Sequence, residues 1–250
     1  MHQMTFQRVC AWSGIVCVTL FFLAFVFAGF IPPLKAHSSA QDIADHYRDH
    51  TTGIRIGGIF MFLSGMFYAA YTAVISAQMR RIPGIHPAAV YTQLAAGAFA
   101  CLTFLVPSLL LEWVAFRPDR AAVDTQTYND LFWIMLVMPW PPFMMQNYTF
   151  AYAIFTDRRE RPLFPRWLAY LNIWAVLIFT PAVLLPFFKS GPFSWAGIFV
   201  VWIPAFVFIL QFVANTSMLL RAINDEEREI ARGPDSKAKP VPAEAAGAPA

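Results

Sequence analysis

Charge is scarce in this chain: Asp, Glu, Lys and Arg make up 13% of its 250 residues, against 58% hydrophobic residues. Soluble domains carry about twice that charged share, so a folded surface solvated by water is excluded for most of the sequence. Cysteine is nearly missing too. Cys10, Cys17 and Cys101 form no CxxC pair and fall in or beside apolar runs, where a thiol acts as a small apolar side chain, which argues against dithiol exchange. The net charge of +3 is distributed over loops and builds no basic patch, so nucleic acid is not an expected partner. No cofactor-binding pattern is present, organic or metallic.

What fills the sequence is apolar runs, at residues 9–31, 54–78, 88–112, 131–156, 167–188 and 192–220. Each reaches the roughly 20 residues that a helix needs to cross about 30 Å of hydrocarbon. They predict an all-α fold: a six-helix transmembrane bundle over residues 1–222, embedded in the lipid bilayer, with a disordered tail at 223–250. The tail mixes charge with Pro and Ala and offers no core. The first run is longer than a signal-peptide core and no small-x-small cleavage site follows it, so it is read as a span.

Lys and Arg set the orientation. Arg8, Arg80, Arg81, Arg158, Arg159, Arg161, Arg166, Arg221, Arg228, Arg232, Lys237 and Lys239 fall at the N-terminus, the even loops and the tail. The remaining six of the 18 basic residues, Lys35, Arg48, Arg55, Arg117, Arg120 and Lys189, fall in the odd loops. The positive-inside rule then places both termini of a multi-pass protein in the cytoplasm.

Between the first two spans, Ala40, Ile43, Ala44 and Tyr47 recur at helical spacing opposite Asp42, Asp45, His46, Asp49 and His50. Ser39 followed by Asp42 resembles a capping box, which predicts a short external amphipathic helix able to act as a lid. The second span is rich in glycine (Gly53, Gly57, Gly58, Gly65) and the third in alanine, predicting close packing of these two backbones. Tyr91, Gln93 and Pro107 reappear as Tyr170, Asn172 and Pro186 at one constant offset, a faint internal similarity.

Four clusters are candidate sites. The fourth run carries Pro139, Trp140, Pro141 and Pro142 at its centre, which removes backbone donors and predicts a broken span, with Gln146 and Asn147 just beyond. Such breaks either kink a helix or build polar sites within a membrane. Trp195, Phe199, Trp202 and Phe206 are spaced to form one aromatic face on the sixth span, which either lines a cavity for a flat apolar molecule or simply faces lipid or packed neighbours, and Trp174 lies in mid-membrane with Trp140. These eight residues are the candidate ligand-binding set. Glu112 and Asp130, flanking a loop with Arg117, Asp119, Arg120 and Asp124, are the candidate catalytic pair, since a carboxyl group at an apolar boundary can keep its proton. The competing reading is an ion-paired network that ties the loop down. His46 and His50 form an HxxxH pair that reads either as a solvated pair on the acidic face of the helix or as metal ligands, and five histidines are too few for a membrane di-iron oxygenase.

The segments Thr51-Thr52-Gly53-Ile54-Arg55-Ile56-Gly57, Phe116-Arg117-Pro118-Asp119-Arg120, Pro165-Arg166-Trp167 and Phe188-Lys189-Ser190-Gly191-Pro192-Phe193 together resemble an uncharacterised family of bacterial six-span integral membrane proteins. The resemblance implies the fold and a multi-pass location in the bacterial inner (plasma) membrane, and brings no activity, substrate or catalytic residue. Three functions fit the residues. One is binding or transport of a small hydrophobic or amphipathic ligand in an aromatic-lined intramembrane cavity meeting Trp140 and Trp202. Another is a membrane enzyme acting on a lipid or isoprenoid by proton donation from Glu112 or Asp130, which needs acid and aromatic groups in one cavity. The third is an accessory or scaffold protein. Transport by six spans would imply a homo-oligomer or a partner membrane protein.

Overall fold

The computed structural model describes residues 3–232, and within them the chain is all helical. Helix α1 (Gln3–Phe27) ends at Gly29, whose φ of 69° is the left-handed conformation that glycine adopts at no cost. The Phe30 N–H reaches Phe25 O (2.9 Å) and the Gly29 N–H reaches Val26 O (3.2 Å), the paired bonds of a Schellman stop. Helix α2 (Ala40–Asp49) carries the expected capping box: the Asp42 N–H donates to Ser39 Oγ (3.1 Å) and the Ser39 N–H to Asp42 Oδ2 (3.2 Å). Its apolar face, Ile43, Ala44 and Tyr47, is buried. It rests chiefly on helix α6, described below.

Helix α3 (Thr51–Met79) is the hub, packed on α1 and on helix α5 (Leu102–Phe116). Its glycines serve both neighbours: an added Cβ at Gly58 would meet Glu112 and one at Gly65 would meet Phe104 and Leu105 of α5, as expected for the third span, while Gly53 and Gly57 face α1. A Cβ at Gly53 would sit 2.1 Å from Phe27 O, and one at Gly57 2.6 Å from Ala24 O, so the two backbones touch there. Helix α4 (Pro87–Ala100) continues into α5 as one apolar rod, Pro87–Phe116, interrupted at Cys101.

The predicted break is present. Helix α6 (Ala122–Val137) stops before Pro139, and helix α7 (Pro141–Thr156) restarts with Pro141 and Pro142 in its first turn, where a missing N–H costs nothing. Helix α8 (Arg166–Phe179) tightens into a 3-10 stretch, Thr180–Phe187, that contains Pro181 and Pro186. A single π-helical turn, Ile198–Trp202, leads into helix α9 (Ile203–Arg232). Among the described residues five helical segments are long and apolar enough to cross a membrane: α1, α3, α4 with α5, α8 with its 3-10 extension, and the π turn with α9. At 16 residues each, α6 and α7 fall short singly.

Residues 223–232 are helical, which corrects the expected tail. Three of their carboxylates are met by partners from other helix ends: Arg8 pairs with Glu227 (2.5 Å), Arg81 with Glu229 (2.9 Å), and the buried Gln78 donates to Glu226 (2.8 Å). The start of α1 and the end of α9 therefore share one end of the bundle. The rest of the expected tail, 233–250, lies outside the described residues.

Near this end Asp157, its side chain fully shielded, receives Arg159 through both Nε (2.8 Å) and Nη2 (2.6 Å), and also the Leu163 N–H (2.9 Å). Burial alone would push this carboxyl up, but Arg159 and the Leu163 N–H outweigh it and hold it below the usual aspartate range. A depressed carboxyl contributes stability above its ordinary value of 3.8 and loses it as pH falls through the lower folded value. Asp157→Asn is therefore expected to lower unfolding stability at pH 7 by on the order of 2 kcal/mol. In thermal melts at descending pH, the gap between variant and native protein should close only in strong acid.

Candidate functional site

Two hydrophobic cores fill the bundle. One, at the end shared by the termini, includes Met79, Phe150, Phe164 and Leu219; the other, beside α2, includes Phe30, Tyr47, Trp133 and Trp195. Between them lies a cavity of about 230 Å³. Phe21, Phe22 and Phe25 come from successive turns of α1, which places them on one wall, and Thr103 and Phe104 come from α5. Trp133, Leu136, Val137, Pro139, Trp140 and Phe143 bring both sides of the α6–α7 break to it. Phe179, Ala182, Val200, Trp202, Ala205 and Phe208 close the remaining side, from α8 through α9. Eight Phe and three Trp line it, and no lining residue is charged. Ile31 at 53% and Trp202 at 44% exposure mark where the cavity meets the outer surface.

The break shapes this space. Pro139 and Pro141 have no N–H for the carbonyls of Met135 and Val137, and the Trp140 N–H turns to Met138 O (2.8 Å) and leaves Leu136 without its helical donor. Three successive carbonyls are thus free of helical bonds, and two of these residues, Leu136 and Val137, line the cavity. Thr103 is the one hydroxyl in the lining, and it donates to Ala100 O (2.7 Å). The Trp133 indole Nε1, on a side chain only 1% exposed, has no hydrogen-bond partner among the described residues.

The candidate residues divide around this cavity. Trp140 and Trp202 line it. Trp195 does not: it precedes the last helix, stacks on Trp133 (6.2 Å between ring centres, 7°) and donates its Nε1–H to Leu34 O (2.8 Å). The π turn after Gly197 takes Trp195 and Phe199 off the helical register assumed for the stripe, and Phe199 stacks on Phe193. Phe206 and Trp174 face outward at 69% and 61% exposure. The single aromatic face expected on the sixth span is therefore not formed.

Gln146 and Asn147 are buried in a polar layer on the other side of Phe143. Tyr68 donates to Gln146 Oε1, while Gln146 Nε2 (2.7 Å) and Gln93 Nε2 (3.2 Å) both donate to Thr72 Oγ1, and Ser76 donates to Gln93 Oε1. From Asn147 a second chain runs on, with Gln211 donating to Asn147 Oδ1 and Asn172 Oδ1 (3.0 Å), and Asn172 and Asn215 exchanging bonds of 3.0 and 3.1 Å. A void of about 20 Å³ in this layer has room for one water molecule. Tyr68, Thr72, Ser76, Gln211 and Asn215 were missing from the candidate set. Their four-residue spacing, on α3 and again on α9, was the available signal.

Glu112 and Asp130 do not line the cavity, so it does not bring the candidate acids and the aromatic groups together. Among the described residues neither they nor Arg117, Asp119, Arg120 and Asp124 join an ion pair. The loop network expected there is replaced by other contacts. Arg120 lies over the Tyr128 ring (4.8 Å), Arg48 donates to Pro118 O and Arg120 O, and Arg55 donates to Ala115 O (2.7 Å) at the end of α5. Glu112 fits against Gly58, where an added Cβ would stand 2.2 Å from its Oε1. His46 and His50 stack (4.3 Å) and both donate to backbone carbonyls, of Ala28 and His46. Burial holds the His46 ring below the usual histidine range against the pull of the Ala28 carbonyl. No group of three His, Cys, Asp or Glu among the described residues is gathered to hold a metal.

No family model, curated protein or solved structure matches this chain. The long apolar helices and the aromatic cluster are compatible with a membrane-embedded protein, and the family resemblance drawn from the loop segments adds nothing further.

Gln146→Leu should leave the Tyr68 hydroxyl without an acceptor in an apolar interior and remove one of two donors to Thr72. The expected loss is on the order of 2 kcal/mol, read as a lower unfolding temperature in detergent, while Gln41→Leu on the exposed face of α2 should leave that temperature unchanged.

Proposed function

We propose that this protein binds a small hydrophobic or amphipathic molecule within the membrane, in the aromatic cavity between α1, the α6–α7 break and α9. The observation that carries this reading is the cavity itself. A 230 Å³ space next to free backbone carbonyls is costly to keep in a bundle with 25 Phe residues available to fill it. It also meets the outer surface beside Ile31 and Trp202, which gives a guest a route from the hydrocarbon of the bilayer.

Ala182, 5% exposed, lies in the cavity wall, and Ala182→Phe fills the space without touching the polar layer. Mass spectrometry of small molecules that copurify in lipid nanodiscs should find a specific compound with the native protein and at least tenfold less with the variant. The variant should unfold no earlier than the native protein, since filling a void is stabilising. Equal amounts in both samples would overturn the reading.

We further propose six spans in the bacterial inner membrane, with α6 and α7 together forming the fourth. The end that gathers Arg8, Arg81, Arg159 and the C-terminal turns of α9 then faces the cytoplasm, as the positive-inside rule favours. A cysteine placed at Ser190 should react with a membrane-impermeant maleimide in intact spheroplasts. One placed at Glu160 should react only after lysis, and the three native cysteines are buried and stay silent. Reaction at Glu160 in intact cells would invert the topology.

A further inference from the structure

Resting on the cavity reading, we infer that its guest is a neutral ring compound carrying an oxygen that accepts a hydrogen bond from the Trp133 indole.

Trp133 and Trp195 stack almost in parallel, yet they differ in one respect. Trp195 Nε1 is satisfied by Leu34 O, whereas Trp133 Nε1, shielded from solvent, has no partner among the described residues. A buried indole N–H normally finds an acceptor. Trp133 lines the cavity, but its Nε1 has less than 1 Å² exposed, so an acceptor meets the N–H only when a guest displaces one of the rings packed on it, Phe25, Phe30, Phe132 or Trp195.

Size and charge narrow the guest. A cavity of roughly 150 Å³ accommodates benzene, so 230 Å³ suits a substituted or fused ring, flat enough to lie among Phe and Trp faces. With no charged side chain in the lining, an ionised headgroup would be buried without a counter-charge. An acyl chain fits the apolar walls but offers no acceptor and leaves Trp133 unpaired. A ring bearing a carbonyl or hydroxyl oxygen meets all three conditions, and a hydroxyl hydrogen would have the free carbonyls of Leu136 and Val137 within the same lining.

The test uses two probes of the same shape, α-tetralone, which has a carbonyl, and tetralin, which lacks it. Each is titrated into the full-length protein with 15N-labelled Trp side chains in nanodiscs, following the indole signals of Trp133, Trp140 and Trp202 against empty nanodiscs. α-Tetralone should bind about tenfold more tightly than tetralin, the discrimination one buried donor supplies. It should also shift the Trp133 N–H downfield, and tetralin should not. Trp133→Phe should remove the preference and keep tetralin binding; if that variant does not fold, the Trp133 signal in the native protein decides alone. Equal affinity with an unmoved Trp133 signal would overturn the inference and leave a cavity for purely apolar guests such as acyl chains. Failure of both probes to bind would overturn the inference and the cavity reading together.

Discussion

The constraint on which the structure depends is the pair Gln146 and Asn147, one turn beyond the proline break. These consecutive amides face two different polar chains. Gln146 is tied to Tyr68 and Thr72 of α3, and Asn147 to Gln211 of α9 and through it to Asn172 of α8. A hydrophobic drive between helices is weak in lipid, so close packing and hydrogen bonds must hold them, each bond contributing about 0.6–2 kcal/mol. Helix α7 is thereby fixed to both halves of the bundle at its own N-terminal turns, where proline has cut it from α6.

The cavity follows from that anchoring. Because α7 cannot slide toward α6, the two halves of the broken span stay offset, and the core around Phe150 and the core around Trp133 do not merge. Phe21 touches both and bridges them on the α1 side. The gap left between is walled by rings, whose stiffness keeps it from collapsing as it would around long aliphatic chains. At the two ends of the bundle, other devices hold the helices: arginine and glutamate partners at one end, and the capped α2 with its Tyr47 and Asn129 contact (3.3 Å) at the other.

Much of this was legible in the amino-acid order, for physical reasons that can be named. The break is local chemistry, since prolines at 139, 141 and 142 forbid a continuous helix wherever the chain lies. The α2 cap is equally local, set by Ser39 and Asp42. Trp140 and Trp202 were recognisable as cavity residues because large rings deep in a span must pack against something. The aromatic stripe failed because periodicity assumes an unbroken α-helix, and the turn at residues 192–197 with its following π turn shifts the register between Trp195 and Trp202. Trp133 and the α1 phenylalanines stayed hidden, as nothing in a phenylalanine-rich chain marks which rings face inward. The helical end of α9 was lost for the opposite reason. Glu226, Glu227 and Glu229 read as solvated charge until Arg8 and Arg81, distant in sequence, are brought beside them.

The most direct test of this account is a cryo-electron microscopy map of the protein in lipid nanodiscs at a resolution that shows side chains. The account predicts α6 ending at Val137 and α7 restarting at Pro141, with an open space between Trp133, Trp140 and Trp202 that holds extra density. A continuous helix through residues 137–141, or phenylalanine rings filling that space, would contradict it.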